Sequence, residues 1–284
     1  MATAAQAYDR RTQDVGNILM LEHVNVCVPD QQQAVAFYIL GMGFTRDPYI
    51  SVGLDNIWVN IGRQQIHTPT RSRGQRLRGR IHVTVPDLAG LRQRLEAAAP
   101  HLAGTQFGWE ETDGGLEVRC PWGNRFACSE PEAGGVALGI SCVELDAPRG
   151  SAEGIARFYQ QVMEAPASVE KGAAVVQVGQ GQTLRFTERD EVPPYDGHHV
   201  AIYVANFSGP HADLERHGAI TEESNEHQYR FVNIYDPATG EALFELEHEV
   251  RSATHPMFMR ALVNRDAGVT QVTYARDGEA LRVG

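Results

Sequence analysis

Positive charge is in short supply in this chain: 25 lysines and arginines face 36 aspartates and glutamates, giving a net charge of −11 over 284 residues. Such a surface repels nucleic acid and anionic membrane unless a basic patch is set apart from the rest. The one basic run, residues 71–80, is short and loop-like and reads as a solvated hinge. Cysteine is sparse as well. Cys27, Cys120, Cys128 and Cys142 form no C-x-x-C pair, and each sits in or beside a strand-like run where a small buried hydrophobe serves equally well. A reduced, intracellular chain is the expectation. No apolar stretch approaches the length of a membrane span, and residues 1–17 are polar without a signal-peptide core, so a frayed N-terminus on a cytoplasmic protein is expected. The nucleophile elbow, the P-loop and the dinucleotide fingerprint are all missing, which removes three common enzyme classes.

What is present is repetition. An alternating strand, a turn and a short helix with an aromatic or leucine anchor recur at residues 23, 80, 141 and 199, with starts 57, 61 and 58 residues apart. The four copies are HVNVCVPDQQQAVAFY, RIHVTVPDLAGLRQRL, SCVELDAPRGSAEGIARFY and HVAIYVANFSGPHADLERHG. Each is followed by further strand candidates, IWVNIG and QQIHT in the first and YRFVNIY and ALFELEH in the fourth among them. Pro- and Gly-containing turns, CPWGNRF at 120–126 and DPATGEALFE at 236–245, recur near the ends of units two and four. With 42% hydrophobic residues the chain can bury the core of about two domains.

The fourfold βαβββ pattern, with V-P-D turns at Val28-Pro29-Asp30 and Val85-Pro86-Asp87, resembles the vicinal-oxygen-chelate superfamily, which includes glyoxalase I, bleomycin-resistance proteins and extradiol dioxygenases. The resemblance covers residues 19–250 and implies an α+β fold of four βαβββ units paired into two half-open barrels. The expected division is a flexible N-terminus at 1–17, an N-terminal domain at 18–130, a linker at 131–137, a C-terminal domain at 138–250 and a tail at 251–284. The apolar MFMRALV of that tail is expected to cover a barrel or a partner subunit.

In that family, inward-facing residues on the first and last strands of each unit converge on a divalent metal. Carried over to the C-terminal pair, the resemblance implies His199, Glu245 and Glu144 as ligands, with Ser141 as the other candidate in unit three and Glu247 on the face of Glu245. Fe(II) is the implied metal, with Mn(II) or Zn(II) as further candidates. His227 and Tyr235, in EHQYRFVNIYDP, resemble a degenerate extradiol dioxygenase signature, His227 as acid/base and Tyr235 orienting an oxyanion. An alternative N-terminal site has His23 and His67, helped by His82, but Arg80 and Ala127 stand at its other ligand positions.

The function implied first is that of a metal-dependent, ring-cleaving dioxygenase acting on a small oxygen-chelating substrate. Against it stand a metal-free binding or resistance protein, whose apolar cup would be lined by Trp58, Trp109 or Phe186 and could hold an anion at Arg80, and a glyoxalase- or epimerase-like isomerase. The expected partner is a small molecule, with neither nucleic acid nor membrane, and a homo-oligomer is left open.

Overall fold

Strands form where the sequence alternates, and proline and aspartate end them. The computed structural model describes residues 8–50, 55–132 and 136–261, with Gly268, Thr270 and Thr273. Residues 1–7 of the expected N-terminal tail, 133–135 of the expected linker and most of the chain after Ala261 lie outside the described residues. Residues Arg10–Gln13 make a short 3₁₀ turn ahead of the first strand.

Unit one consists of β1 (Ile18–Asn25), α1 (Gln31–Ala34) running on as a π-helical stretch over Val35–Gly41, β2 (Thr45–Arg46), β3 (Asn56–Ile61) and β4 (Gln64–Pro69). Unit two follows as β5 (Gly79–Thr84), α2 (Leu88–Ala98), β6 (Gly108–Thr112), β7 (Gly115–Arg119) and β8 (Arg125–Ser129). Unit three is β9 (Gly139–Pro148), α3 (Ala152–Gln161), β10 (Ala167–Val169), β11 (Ala173–Gln177) and β12 (Thr183–Arg189). Unit four is β13 (His199–Val204), α4 (Ser208–Arg216), β14 (Ile220–Asn225), β15 (Gln228–Tyr235) and β16 (Ala242–Ser252).

The V-P-D turns have a plain physical role. Pro29 and Pro86 supply no N–H to continue a ladder, and the aspartate that follows caps the helix. The Asp30 carboxylate accepts from the Gln32 and Gln33 N–H groups at 2.8 and 3.0 Å, and Asp87 accepts from Gly90 N at 2.8 Å.

In every unit the first strand lies parallel to the last. Units then join through their first strands, antiparallel, into two eight-stranded sheets ordered β14-β15-β16-β13-β1-β4-β3-β2 and β10-β11-β12-β9-β5-β8-β7-β6. The partners are therefore units one and four in one sheet and two and three in the other. The expected pairing of one with two and three with four does not form. Alternation along a strand fixes which side chains share a face but carries no information on which first strand lies beside which, because all four have the same pattern.

One continuous apolar core lies between the sheets, with helices inside it. Phe37 and Tyr38 of the π-helical stretch pack on Phe126 of β8, in the other sheet. From α3, Phe158 packs on Phe231 and Tyr235 of the first sheet, and Tyr159 packs on Phe186 of the second. The apolar faces meet across these helices, so the opposite, polar face of each sheet is left to form a cup. Among the described residues no helix is long and apolar enough to cross a membrane.

Candidate metal centre

At the seam of the first sheet, strand register gathers histidines. His23 on β1 pairs with Gln65 of β4 and Ala201 of β13, while Asn25, two residues on, pairs with His67 and His199. A period of two puts all of these on one face. One nitrogen of each of His23, His67 and His199 lies within 4.8 Å of the others. On the far side of β13, Glu247 pairs with His199 and Glu249 with Ala201, which places both carboxylates on the same face.

The hydrogen bonds assign the protons. His23 Nδ1 lies 2.9 Å from Glu22 Oε2. Burial would raise the Glu22 pKa, but the Arg251 guanidinium and the His23 bond outweigh it and hold the group at about 2, so Glu22 is ionised and can only accept. His23 therefore carries its proton on Nδ1. His199 Nδ1 lies 3.2 Å from Glu247 Oε1, which favours the same tautomer. His67 Nε2 donates to Asn56 Oδ1 at 2.6 Å, which leaves the lone pair on Nδ1. Burial foremost pushes His67 down to about 2 and His199 well below its ordinary value, so both rings are neutral.

His23 Nε2 and His199 Nε2 face one another at 3.4 Å, each ring with a carboxylate beside its Nδ1. The two nitrogens can share one proton, and a divalent ion between them would take both Nε2 lone pairs as ligands. Two nitrogens bound to one ion at about 2.1 Å stand roughly 3.0–3.4 Å apart. Carboxylates on the remote nitrogens, here Glu22 and Glu247, are the partners that orient metal-ligating histidines. The donor set fits a divalent metal.

The surroundings are rigid and charged. Trp58 stacks on His67, with centroids 3.8 Å apart and 16° between planes, and meets His23 edge-on at 4.8 Å. Glu249 lies 3.7 Å from His199 Nε2 and is ion-paired with Arg230 and Arg251. Burial would raise its pKa, but Arg251, then His23 and Arg230, outweigh it and keep it well below the usual carboxylate range. The Tyr203 hydroxyl donates to Glu22 at 3.1 Å, and burial, followed by the Glu22 charge, raises its pKa so that it keeps its proton.

Beside His23 a cavity of about 330 Å³ opens between the sheet residues Met20, Glu22, Gln65 and Tyr203 and the segment that follows β16. Met257, Met259 and Arg260 of that segment form the opposite wall, and Arg63 stands at the edge. The segment is tied down by an ion pair of Arg260 with Asp47, the two side chains being 5% and 0% exposed, and Phe258 packs on Tyr203. The expected covering of a barrel by the MFMRALV stretch thus holds for residues 257–261, the rest of it lying outside the described residues.

Several expected site residues stand elsewhere. Glu144 belongs to the second sheet, where it takes Arg80 Nε at 2.7 Å and His82 Nε2 at 3.2 Å, so neither Glu144 nor His82 can join a ligand set built on the first sheet. Ser141, on the same β9, is likewise remote. Glu245 is exposed near the outer end of β16, and the strand neighbour of His199 is Glu247. His227 turns its ring to Ser252 and Thr254, 3.4 and 3.3 Å from its Nδ1, and does not belong to the imidazole cluster. Tyr235 points to the helix side of its sheet, packed on Phe158 with its hydroxyl 3.1 Å from His217 Nδ1. Of the proposed cup aromatics, Trp58 lines the first cup and Trp109, half-buried against the core, lines the cavity beside Arg80 in the second, whereas Phe186 packs in the core. His199 from the C-terminal expectation and His23 and His67 from the alternative are the residues that come together. Glu22, Glu249, Tyr203, Arg230 and Arg251 were missed. The E-x-E-x-R alternation over residues 247–251 was the available signal, and it points to the cup only once β16 is set beside β13.

Four βαβββ units joined two by two through their first strands, with imidazoles meeting at the seam, define the vicinal-oxygen-chelate fold, and the chain has that fold. Among solved structures it resembles a protein of Bacillus subtilis provisionally described as a dioxygenase, at 14% identity over 91% of this chain and 90% of that one, with a TM-score of 0.57. It also resembles glyoxalase I of Zea mays, at 12% identity over 87% of this chain and 96% of that one, with a TM-score of 0.58. No family model and no curated protein matches the sequence.

Proposed function

We propose that the chain is a metal-dependent enzyme of the ring-cleaving dioxygenase type, centred in the first cup, with a small substrate that presents two neighbouring oxygens to the ion. The observation that carries this reading is the 3.4 Å approach of His23 Nε2 to His199 Nε2 with a carboxylate on the far nitrogen of each ring. His23, His67 and His199 would hold the metal, with Glu249 the nearest carboxylate to join them. A divalent ion there, Fe(II) foremost and Mn(II) or Zn(II) next, supplies Lewis acidity and, as iron, reactivity toward O2.

The chain's own residues do the rest. Met20, Met257 and Met259 offer an adaptable apolar wall for the body of the substrate. Tyr203 keeps its proton and donates it to Glu22, holding the carboxylate that orients His23. Glu22 and Glu247 hold the two facing imidazoles in the tautomer that presents Nε2. The segment from Ser252 to Ala261, anchored by Arg260 on Asp47, limits water over the centre.

An isomerase of the glyoxalase type needs a carboxylate that takes a proton from carbon. Arg230 and Arg251 clamp Glu249 and make it a weak base, which favours the dioxygenase reading over that alternative. The test is oxygen uptake by the iron-loaded protein with a panel of catechols. The reading expects uptake matched by ring-opened product and absent from His199→Ala. No uptake by iron-loaded protein with any catechol would sink it.

A further inference from the structure

The second cup holds the same place in its sheet that the metal centre holds in the first, and register fixes the correspondence residue by residue. The row His23, Ala201, Glu249 across β1, β13 and β16 becomes Arg80, Glu144, Arg185 across β5, β9 and β12. The neighbouring row His67, Asn25, His199, Glu247 becomes Ala127, His82, Cys142, Thr183. Two ligand positions have turned into guanidinium groups, which donate hydrogen bonds and offer no lone pair to a metal. Positive charge that the first cup would gain by binding a cation is built into the second.

A cavity of about 590 Å³ opens on this face beside Arg80. Arg76 and Arg80 reach it from the basic run at 71–80, while Arg119 and Arg125 come from the ends of β7 and β8 on either side of the CPWGN turn. Glu110 and Glu117 are the carboxylates on its wall, and Glu144 engages Arg80. Among the described residues the Arg76 and Arg119 side chains make no hydrogen bond or ion pair, and Arg125 donates only to the Gly79 carbonyl. Four guanidinium groups around one cavity repel each other, and on a chain of net charge −11 they form a local inversion of sign. Planar forks of this kind match the two oxygens of a carboxylate or phosphate. The volume is that of a metabolite-sized site, larger than a lone inorganic ion requires.

We propose that the second cup is an anion-binding site, separate from the metal centre, in which Arg76, Arg80, Arg119 and Arg125 grip the phosphate or carboxylate group of a small organic molecule. It stands independently of the dioxygenase reading, because none of its residues belongs to the first cup.

Calorimetric titration of the protein as purified, at low ionic strength, with phenyl phosphate, benzoate and neutral phenol tests the site. The variants are Arg119→Glu and Arg125→Glu, both at exposed positions, and His199→Ala in the first cup. The expected result is saturable binding of one anion per chain that weakens at least tenfold in each arginine variant, persists in His199→Ala and fades with added salt. Tighter phenyl phosphate would identify a phosphate ligand, and tighter benzoate a carboxylate. Three results would each overturn the proposal: no saturable binding of either anion, binding that Arg119→Glu and Arg125→Glu leave intact, or phenol binding as well as the anions. Loss of all anion binding in His199→Ala would do the same by moving the anion to the metal centre.

Discussion

The two cups are built on one backbone plan and treat charge in opposite ways. In the first, His23 is fully buried and Glu249 and Glu22 are 3% and 6% exposed, so each charge must find a partner inside the protein. In the second, Arg80 and Arg189 have side chains 39% and 48% exposed and share their charge with water. The fold supplies the positions in both. Burial decides what they can do: His67 and His199 stay neutral where water is excluded, and loosely paired arginines persist where it is not.

The largest difference between the cups should lie in the cost of breaking an ion pair. Arg251→Leu strands Glu22 and Glu249 without their shared guanidinium and should destabilise the protein by about 3–5 kcal/mol in urea unfolding. Next comes metal affinity. His199→Ala should lower it by about 100-fold or more, read by competition with a chelating dye, whereas Cys142→Ala at the matching position of the second sheet should leave it unchanged.

Acid should weaken the first sheet specifically. His248, buried behind the metal centre with Nε2 2.7 Å from the Tyr159 hydroxyl, is pushed by burial down to about 4. Its depressed pKa means that the unfolded chain binds the proton first, so stability falls as pH drops from about 6.5 toward 4. The share of His248 in the drop between pH 7 and 5 should be about 2 kcal/mol, beside those of the buried neutral His67 and His199, and His248→Phe should make the slope shallower by that share. A smaller effect is expected at Asn56, whose Oδ1 accepts from His67: Asn56→Leu should cost about tenfold in metal affinity with little change in fold. Smallest of all, Arg189→Leu in the second cup, where the arginine that pairs with Asp146 and Glu144 is itself half exposed, should change stability by less than about 1 kcal/mol. A cost as large as that of Arg251→Leu would erase the contrast between the cups.

Much of the fold was legible in the sequence, because period-two alternation and the V-P-D helix caps are local signals. Each of the four expected first strands forms, with β5 and β13 beginning within a residue of the start of its repeat. The site was legible only in part. His23, His67 and His199 were recognised as ligand positions but assigned to different cups, since which first strands pair is set by the core between the sheets and by no pattern within a unit. Glu144 followed from that pairing and fell with it. Glu245 was a choice among the alternating glutamates of β16, and only the register Glu247 against His199 shows which of them reach the centre. His227 and Tyr235 were taken from a motif whose spacing is altered here, and Tyr235 in fact sits on the apolar side of its strand.

The account turns on one claim: that units one and four together make a metal centre while two and three do not. Elemental analysis of protein purified without chelator, alongside His23→Ala, His199→Ala and the double variant Arg80→Ala/Cys142→Ala, tests it most directly. The prediction is about one divalent ion per chain in the wild type and in the second-cup variant, and loss of the ion from both histidine variants. Metal that survives in His23→Ala and His199→Ala, or that leaves with the second-cup substitutions, would contradict it.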